Sequence, residues 1–250
     1  MKKLLGIAIL LAAIALIYMY TKKSLPADKN VLVVGTHPNF QPFEYKENGE
    51  LKGFEIELVH ALAKQLRKEV VFKDMAFDAL LIEAQAGRID MIASALTPTP
   101  ERSTKVFFTK PYLVNDPLII ITLAGTTSLK SIEDIQGKEV IVNDGYTAES
   151  YMKKQQGVQL RSLPTVADAF FALLHGQAYA FVSARSAVQP FFDTYGIEKF
   201  DILVLPETDS YALAVPKAFP ATFQEVNQAF TALEHNGVLQ ALKNKWHLNF

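Results

Sequence analysis

Residues 87–94 read Gly-Arg-Ile-Asp-Met-Ile-Ala-Ser, and this stretch joins the end of a predicted helix to a predicted buried strand. A glycine such as Gly87 commonly ends a helix, and a helix that Asp78 can cap would run up to it. The short apolar run 89–93 has the length and composition of a strand buried on both faces. The stretch therefore marks an alternation of helix and strand that can be followed in both directions along the chain.

The residues before this stretch continue the alternation. Apolar, β-branched runs at 31–34 and 70–72 predict buried strands, and apolar residues at helical spacing predict an amphipathic helix over 54–67. Asn48-Gly49 is a hairpin-turn signal ahead of that helix. A strand-helix-strand-helix-strand order predicts a parallel sheet with helices on its faces.

The residues after the stretch predict a second unit of the same kind. Helices are predicted after the capping residues Ser131, Thr147 and Thr165, the last two ending near Gln155 and Gly176. The predicted strands of this unit are 118–123, 139–142, 178–182, 202–205 and 211–215.

Two helices are predicted at the C-terminal end, over 221–235 and 238–246. They have no strands of their own to pack on, so they must cover the sheet of the first unit. We therefore predict an α/β fold with two lobes, each a sheet flanked by helices, joined by a two-strand hinge. Lobe 1 comprises residues 28–115 plus 212–250, lobe 2 comprises 116–211, and a ligand cleft lies between them.

The composition narrows the classes of function. The chain has 250 residues, a net charge of −1 and no cysteine. Disulfides, thiolate nucleophiles, cysteine-based metal sites and a lipid anchor on cysteine are therefore excluded. Nothing in the charge balance points to a nucleic acid, and we expect a monomer without a metal or cofactor.

The N-terminal residues 1–23 have the pattern of an export segment. Lys2 and Lys3 precede the uncharged run 4–20, and Lys22 and Lys23 follow it. The run is at the lower limit of length for a membrane span. A cleaved export signal and an uncleaved membrane anchor remain equally open, and both predict a periplasmic or otherwise extracytoplasmic protein.

Catalytic motifs are sparse. The five histidines are not at the spacing of a zinc helix motif, and the chain has no G-x-S-x-G, P-loop or G-x-G-x-x-G sequence. The sequence therefore favours a binding protein over an enzyme.

Four segments together resemble one known family. They are 53–58 (Gly-Phe-Glu-Ile-Glu-Leu), 87–102 ending in Thr-Pro-Thr-Pro-Glu-Arg, 107–112 (Phe-Phe-Thr-Lys-Pro-Tyr), and 35–44 around Pro42-Phe43-Glu44. The chain resembles solute-binding protein family 3, the polar amino-acid-binding components of ABC importers, over essentially all of 30–247. The resemblance implies the two-lobed periplasmic-binding-protein fold of type II, an amino-acid ligand and an ABC permease as partner.

The resemblance also implies a set of ligand-binding residues. Arg102 has a planar fork that can hold a carboxylate through two hydrogen bonds, and it matches the family's carboxylate anchor. Thr97 would add a hydroxyl and an N–H to the same carboxylate, and the amides at the helix start near Tyr146 and Thr147 suit an anion. The remaining members of the expected set are Ser94 and Ala95 near the ligand ammonium, with His37, Phe40 and Phe77 around its side chain.

Two departures from the family pattern concern charge. Ala184 stands where many members have an acid for the ligand ammonium, with Glu149 or Asp144 as possible replacements. His37 stands where binders of basic amino acids often have Asp. These departures favour an uncharged polar or aromatic amino acid over Arg or Lys.

Three functions follow from the resemblance. The first is capture of a small amino acid, or a related small acid, by hinge closure and its delivery to an importer. The second is a membrane-tethered ligand sensor. The third is a periplasmic cyclohexadienyl- or arogenate-type dehydratase on the same fold, for which His37 and Glu149 are the candidate general acids.

Overall fold

The structure is a computed structural model that describes residues 30–126 and 129–248. The predicted export segment 1–23 lies outside these residues. The strands are β1 Val31–Thr36, β2 Asn39–Phe40, β3 Glu44–Glu47, β4 Glu50–Lys52, β5 Glu69–Asp74, β6 Met91–Ile92, β7 Val106–Phe108, β8 Leu113–Leu123, β9 Glu139–Asn143, β10 Gln159–Leu163, β11 Ala180–Ala184, β12 Phe200–Tyr211 and β13 Ala214–Pro216. The α-helices are α1 Phe54–Leu66, α2 Phe77–Gln85, α3 Pro100–Ser103, α4 Thr147–Met152, α5 Val166–Leu174, α6 Arg185–Tyr195, α7 Pro220–His235 and α8 Val238–Lys245, and the 3-10 helices are Ile132–Ile135 and Ile197–Lys199.

Two five-stranded sheets form the two lobes. The first has the order β5-β1-β6-β13-β7, with β1 parallel to both its neighbours and β13 antiparallel. The second has the order β10-β9-β11-β8-β12, with β9 parallel to its neighbours and β8 antiparallel. The predicted two-lobed α/β fold is confirmed.

The chain crosses between the sheets twice, and the crossings lie side by side. Strands β8 and β12 pair antiparallel up to Leu113 and Tyr211. Beyond that point the Tyr112 N–H donates to the Tyr211 carbonyl at 2.8 Å, and the Thr109 N–H donates to the Leu213 carbonyl at 3.0 Å. The lobes are therefore joined by two hydrogen-bonded segments, which is the predicted two-strand hinge.

Helices from the N-terminal and C-terminal parts of the described chain pack together on the first lobe. Helix α1 begins after Gly53, whose φ of 130° and close approach to Phe43 leave no room for a side chain, since an added Cβ would lie 2.1 Å from the Phe43 carbonyl oxygen. Helix α7 packs on α1 and β13, and α8 also packs on α1. Val226, Phe230 and Leu233 of α7 are buried in this contact.

Several predicted boundaries were wrong. Helix α2 begins at Phe77 with Ala76 as N-cap, so Asp78 lies in the first turn and does not cap the helix. Tyr146, not Thr147, is the N-cap of α4, and that helix ends at Met152. Thr165 does cap α5, because its side chain accepts the Asp168 N–H.

Strand β12 and helix α6 differ most from expectation. The two strands predicted over 202–205 and 211–215 are one long edge strand up to Tyr211 and a separate short β13. An edge strand tolerates Pro206, and the register shifts between Val204 and Thr208. Helix α6 was not predicted, and it contains Pro190, a residue that normally interrupts a helix.

Candidate functional site

A small, nearly filled cavity of about 20 Å³ lies between the lobes, which leaves room for about one water molecule. Every predicted site residue except His37 lines it, and three further residues join them. The lining residues are Phe40, Phe77, Ser94, Ala95, Thr97, Arg102, Tyr146, Thr147, Ala184, Asp209 and Tyr211.

The structure does not bring His37 to the cavity wall. Its side chain is 6% exposed, and its Nδ1 lies 3.0 Å from the Met75 carbonyl oxygen. A carbonyl can only accept, so Nδ1 is the donor in this contact, and Asn39 Nδ2 lies 3.4 Å from Nε2. The ring meets Phe77 edge-on at 6.5 Å between centroids, so His37 supports the wall from behind.

Arg102 is the cation of the cavity. Arg102 is 8% exposed, and its guanidinium donates from Nη1 to the Thr97 carbonyl at 2.9 Å and from Nη2 to the Gly145 carbonyl at 2.8 Å. Its Cζ lies 5.5 Å from the centroid of the Phe77 ring, which adds a cation–π contact. Burial lowers the pKa of Arg102, while the nearby Asp209 carboxylate opposes this. An arginine has five N–H donors, so donors remain for an anionic ligand.

Asp209 and Tyr211 line the cavity, and neither was predicted from the sequence. The Asp209 side chain accepts the Thr97 hydroxyl at Oδ1 and the Thr147 hydroxyl at Oδ2, both at 2.8 Å. Asp209 is 5% exposed, and burial raises its pKa to about 6. Alternate residues of a strand share a face, so Asp209 and Tyr211 point the same way from β12. That period could have identified both residues, but no strand was predicted over 206–210, which the structure places in β12.

Aromatic rings from both lobes form the apolar part of the wall. Phe77 of the first lobe and Tyr146 of the second lie 4.4 Å apart between centroids. Phe40 meets Tyr146 at 6.2 Å and Tyr211 at 5.8 Å, both edge-on. These flat surfaces suit the aliphatic or aromatic part of a small ligand.

The loop that carries Ser94 and Ala95 rests on two buried acids. The Ser94 hydroxyl donates to Glu44 Oε1 at 3.1 Å, and the Ala95 N–H donates to Glu55 Oε2 at 2.8 Å. The Tyr112 hydroxyl donates to Glu55 Oε1 at 2.8 Å. Ala95 has a φ of 42°, so these bonds hold a non-glycine residue in the left-handed region.

The two acids are close enough to interact. Burial raises the pKa of Glu55 to about 7, and burial together with the Glu55 charge raises the pKa of Glu44 well above its usual range. Glu44 Oε2 has no donor among the described residues. A proton held between the two carboxyls would satisfy that oxygen and relieve the repulsion.

The acids expected to compensate for Ala184 do not line the cavity. Glu149 accepts the Gly145 N–H at 3.1 Å and the Ser162 hydroxyl at 2.8 Å, and it pairs with Lys153 at 2.9 Å. Asp144 is partly exposed outside the wall, whereas Ala184 itself is buried in the wall. Nowhere in residues 30–126 or 129–248 do three His, Asp or Glu side chains gather closely enough to bind a metal ion.

The family model for bacterial extracellular solute-binding proteins, family 3, matches residues 32–249. The chain belongs to this family. None of the helices in the described part of the chain has the length and apolar character that a membrane span requires.

Three similar proteins illustrate the range of the family. The probable histidine-binding protein of Campylobacter jejuni is 35% identical over 160 residues, which cover 64% of this chain and a little under two thirds, 62%, of that protein. The ABC transporter arginine-binding protein 1 of Escherichia coli is 29% identical over 93% of this chain and 96% of that protein. A solved ancestral arginine-binding protein bound to arginine matches with a TM-score of 0.81 and 32% identity, over 87% of this chain and 98% of that one.

Proposed function

We propose that this family 3 protein binds a free amino acid, or a related small acid, in the cavity and delivers it to an ABC importer. The observation that carries the proposal is the buried Arg102 guanidinium, which already contacts both lobes and has donors left for a carboxylate. A buried cation is costly unless it is paired. A ligand carboxylate would supply that pair through charge-assisted hydrogen bonds.

Ligand binding would be coupled to closure of the two lobes. We assign residues 28–115 plus 212–250 to lobe 1 and 116–211 to lobe 2, so the hinge segments are those near Tyr112 and Tyr211. The bond from Arg102 to the Gly145 carbonyl spans the two lobes. A carboxylate that orders the guanidinium therefore favours the closed arrangement as well.

The cavity walls suggest the type of ligand. The Phe40, Phe77, Tyr146 and Tyr211 rings form an apolar wall around the cavity. No second acid lines this space among the described residues, so a cationic side chain would lack a distal partner. We therefore favour an uncharged polar or aromatic amino acid over Arg and Lys.

The proposed role requires binding without chemistry. The protein would act outside the cytoplasmic membrane as a monomer, with an ABC permease as its partner and residues 1–23 as export signal or anchor. It would need no cofactor. A tethered sensor uses the same binding step, and the dehydratase alternative loses His37 as an acid in the cavity because the ring bonds to Met75 outside the wall.

Calorimetry with matched ligands tests this proposal. Each of the twenty L-amino acids is compared with the amine that lacks its carboxylate. We expect at least one amino acid to bind and its decarboxylated amine to bind far more weakly. Equal affinity for acid and amine would refute the role of Arg102, and release of a chemically altered product would favour the enzyme.

A further inference from the structure

We propose that Asp209 binds the α-ammonium of the amino acid, in place of the acid that Ala184 does not supply. This assignment rests on the proposed function, because it requires an amino-acid ligand. Asp209 is 5% exposed and, of the described residues that line the cavity, it is the only acid.

The other acids near the cavity do not line it, and Glu44 and Glu55 lie behind the wall, where they hold the Ser94 hydroxyl and the Ala95 N–H. Glu149 is held by Gly145, Ser162 and Lys153. Asp116 accepts the Ser186 hydroxyl at 2.5 Å and the Tyr211 hydroxyl at 2.6 Å. An ammonium in the cavity therefore has Asp209 as its carboxylate partner.

The carboxylate of Asp209 is held in a fixed orientation by both lobes. Thr97 of the first lobe bonds to Oδ1, and Thr147 of the second bonds to Oδ2. A carboxylate has about four acceptor sites on its two oxygens, so each oxygen can still accept from an ammonium. Little binding free energy is lost in orienting the Asp209 carboxylate, because the two threonine hydroxyls already hold it in place.

This geometry changes the roles expected of the two threonines. Each hydroxyl has one proton, and both protons go to Asp209. The hydroxyls then present lone pairs to the cavity, which suit an ammonium and not a carboxylate. Thr97 and Thr147 therefore position Asp209 and add acceptors for the ammonium, while Arg102 takes the carboxylate.

The charges of the wall match those of a zwitterion. Arg102 and Asp209 line the same cavity with opposite charge, and both are buried. Burial favours the neutral form of Asp209, and a ligand ammonium would restore the ionised form. A free amino acid supplies both counter-charges at once.

Matched ligands that differ only in the α-amine test the assignment. The probes are L-phenylalanine with 3-phenylpropionate, L-glutamine with its des-amino acid, and L-histidine with 3-(imidazol-4-yl)propionate, extended to the pair for whichever of the twenty amino acids binds most tightly. The measured quantity is the ratio of dissociation constants within a pair. The variants are Asp209→Asn, Arg102→Ala, and Asp144→Asn as a control acid outside the wall.

We expect Asp209→Asn to weaken amino-acid binding about tenfold to a hundredfold and to leave the des-amino acid nearly unaffected, as loss of a charged hydrogen bond predicts. Arg102→Ala should weaken both members of a pair, and Asp144→Asn neither. Adding Ala184→Asp to Asp209→Asn should restore part of the preference, because position 184 lines the same cavity.

The outcomes separate this assignment from the proposed function. If the wild type binds amino acids and Asp209→Asn keeps the wild-type ratio, the assignment is overturned alone. If the wild type binds no amino acid, the proposed function falls and the assignment with it. Should Asp209→Asn fail to fold, Thr147→Val replaces it: a reduced ratio supports the assignment, and an unchanged ratio overturns it.

Discussion

Arg102 of one lobe donates a hydrogen bond to the Gly145 carbonyl of the other, with 2.8 Å between Nη2 and the oxygen. The same guanidinium also holds the Thr97 carbonyl at 2.9 Å. A single buried side chain thus connects the ligand-facing loop of lobe 1 to the start of α4 in lobe 2. Arg102 therefore contributes both to the cavity and to the contact between the lobes.

Arg102→Ala should lower amino-acid affinity by roughly 2–5 kcal/mol, because the ligand carboxylate loses a buried charge-assisted partner. The fold should persist, since Arg102 lies on the short α3 and not in a sheet. Calorimetry measures the affinity, and circular dichroism measures the fold. Arg88→Ala is the matched control, because Arg88 is an exposed arginine that pairs with Glu83. An unchanged affinity in Arg102→Ala would refute the proposal that Arg102 binds the ligand carboxylate.

The preferred ligand should be an uncharged polar or aromatic amino acid. A thermal-shift screen of the twenty amino acids and simple carboxylic acids measures this, because stabilisation grows with ligand concentration over Kd. Arg or Lys giving the largest shift would contradict the prediction. In that case Asp209, the only acid among the described residues that line the cavity, would be the first candidate partner for the cationic side chain.

Amino-acid affinity should fall at acidic pH. The pKa of Asp209 is raised to about 6, so the unliganded carboxyl takes up a proton below that pH and loses its attraction for an ammonium. Between pH 7 and pH 5 the loss should be about tenfold. The charged groups acting on Asp209 are Arg102, which favours the ion, and Asp116, which opposes it. Among its titratable neighbours, Tyr211 stays neutral, because burial raises its pKa well above the usual range.

Asp209→Asn distinguishes this titration from that of other groups. The variant should show nearly the same weak affinity at both pH values. The des-amino acids should show no such fall for the wild type. A wild-type amino-acid affinity that stays constant from pH 7 to pH 5 would contradict the prediction.

Stability should decrease as pH rises from about 4.3 toward neutrality, on account of the buried acids Glu44 and Glu55. A buried acid whose folded pKa is raised keeps its full stabilising contribution below the unfolded pKa of about 4.3 and loses it as pH rises through the folded pKa. For Glu55 the folded pKa is about 7, which places the window between about pH 4.3 and about pH 7.

Glu44→Gln should flatten this pH dependence and raise the free energy of unfolding at alkaline pH, since it removes one of two buried ionisable acids. Denaturant unfolding at several pH values measures the change. Glu47→Gln is the matched control, because Glu47 is an exposed acid two positions after Tyr45 on the same hairpin. A slope as steep in Glu44→Gln as in the wild type would argue against the shared proton.

A chain beginning at Pro26 should fold and bind as the full chain does. The described residues build their own sheets and cores, and the family match begins at residue 32. Melting temperature and amino-acid affinity are the measurements. Aggregation or loss of folding would assign residues 1–25 to the core of a lobe.

The sequence predicted those parts of the fold that depend on local pattern. Helix α1 was placed within one residue, because its apolar positions repeat at helical spacing after Gly53. Helix α6 was missed, because Pro190 lies inside it and its burial on β8 and β11 outweighs the lost hydrogen bond. Sequence rules based on single residues fail for this helix because its tertiary packing outweighs the local effect of proline.

The cavity residues also divide into those that a local sequence pattern predicts and those that only the fold brings together. Arg102, Thr97 and Ser94 could be placed from a contiguous motif, and the structure brings them to one cavity. Asp209 is 112 residues from Thr97 in the sequence, so no local spacing relates the two residues. His37 has the expected neighbours in sequence, but its ring turns to the Met75 carbonyl, and only the fold determines that choice.

Gly145 limits how much bulk the junction of the lobes can accept. Its φ is 75°, and a Cβ added there would lie 3.5 Å from both Phe77 and Asp78 of the opposite lobe. A methyl group would therefore just touch, at a backbone cost of about 1–2 kcal/mol, and a larger branched side chain would push the two lobes apart. A graded series at this one position would move the molecule stepwise along its opening coordinate, so that ligand capture and release rates could be tuned without altering any group that touches the ligand.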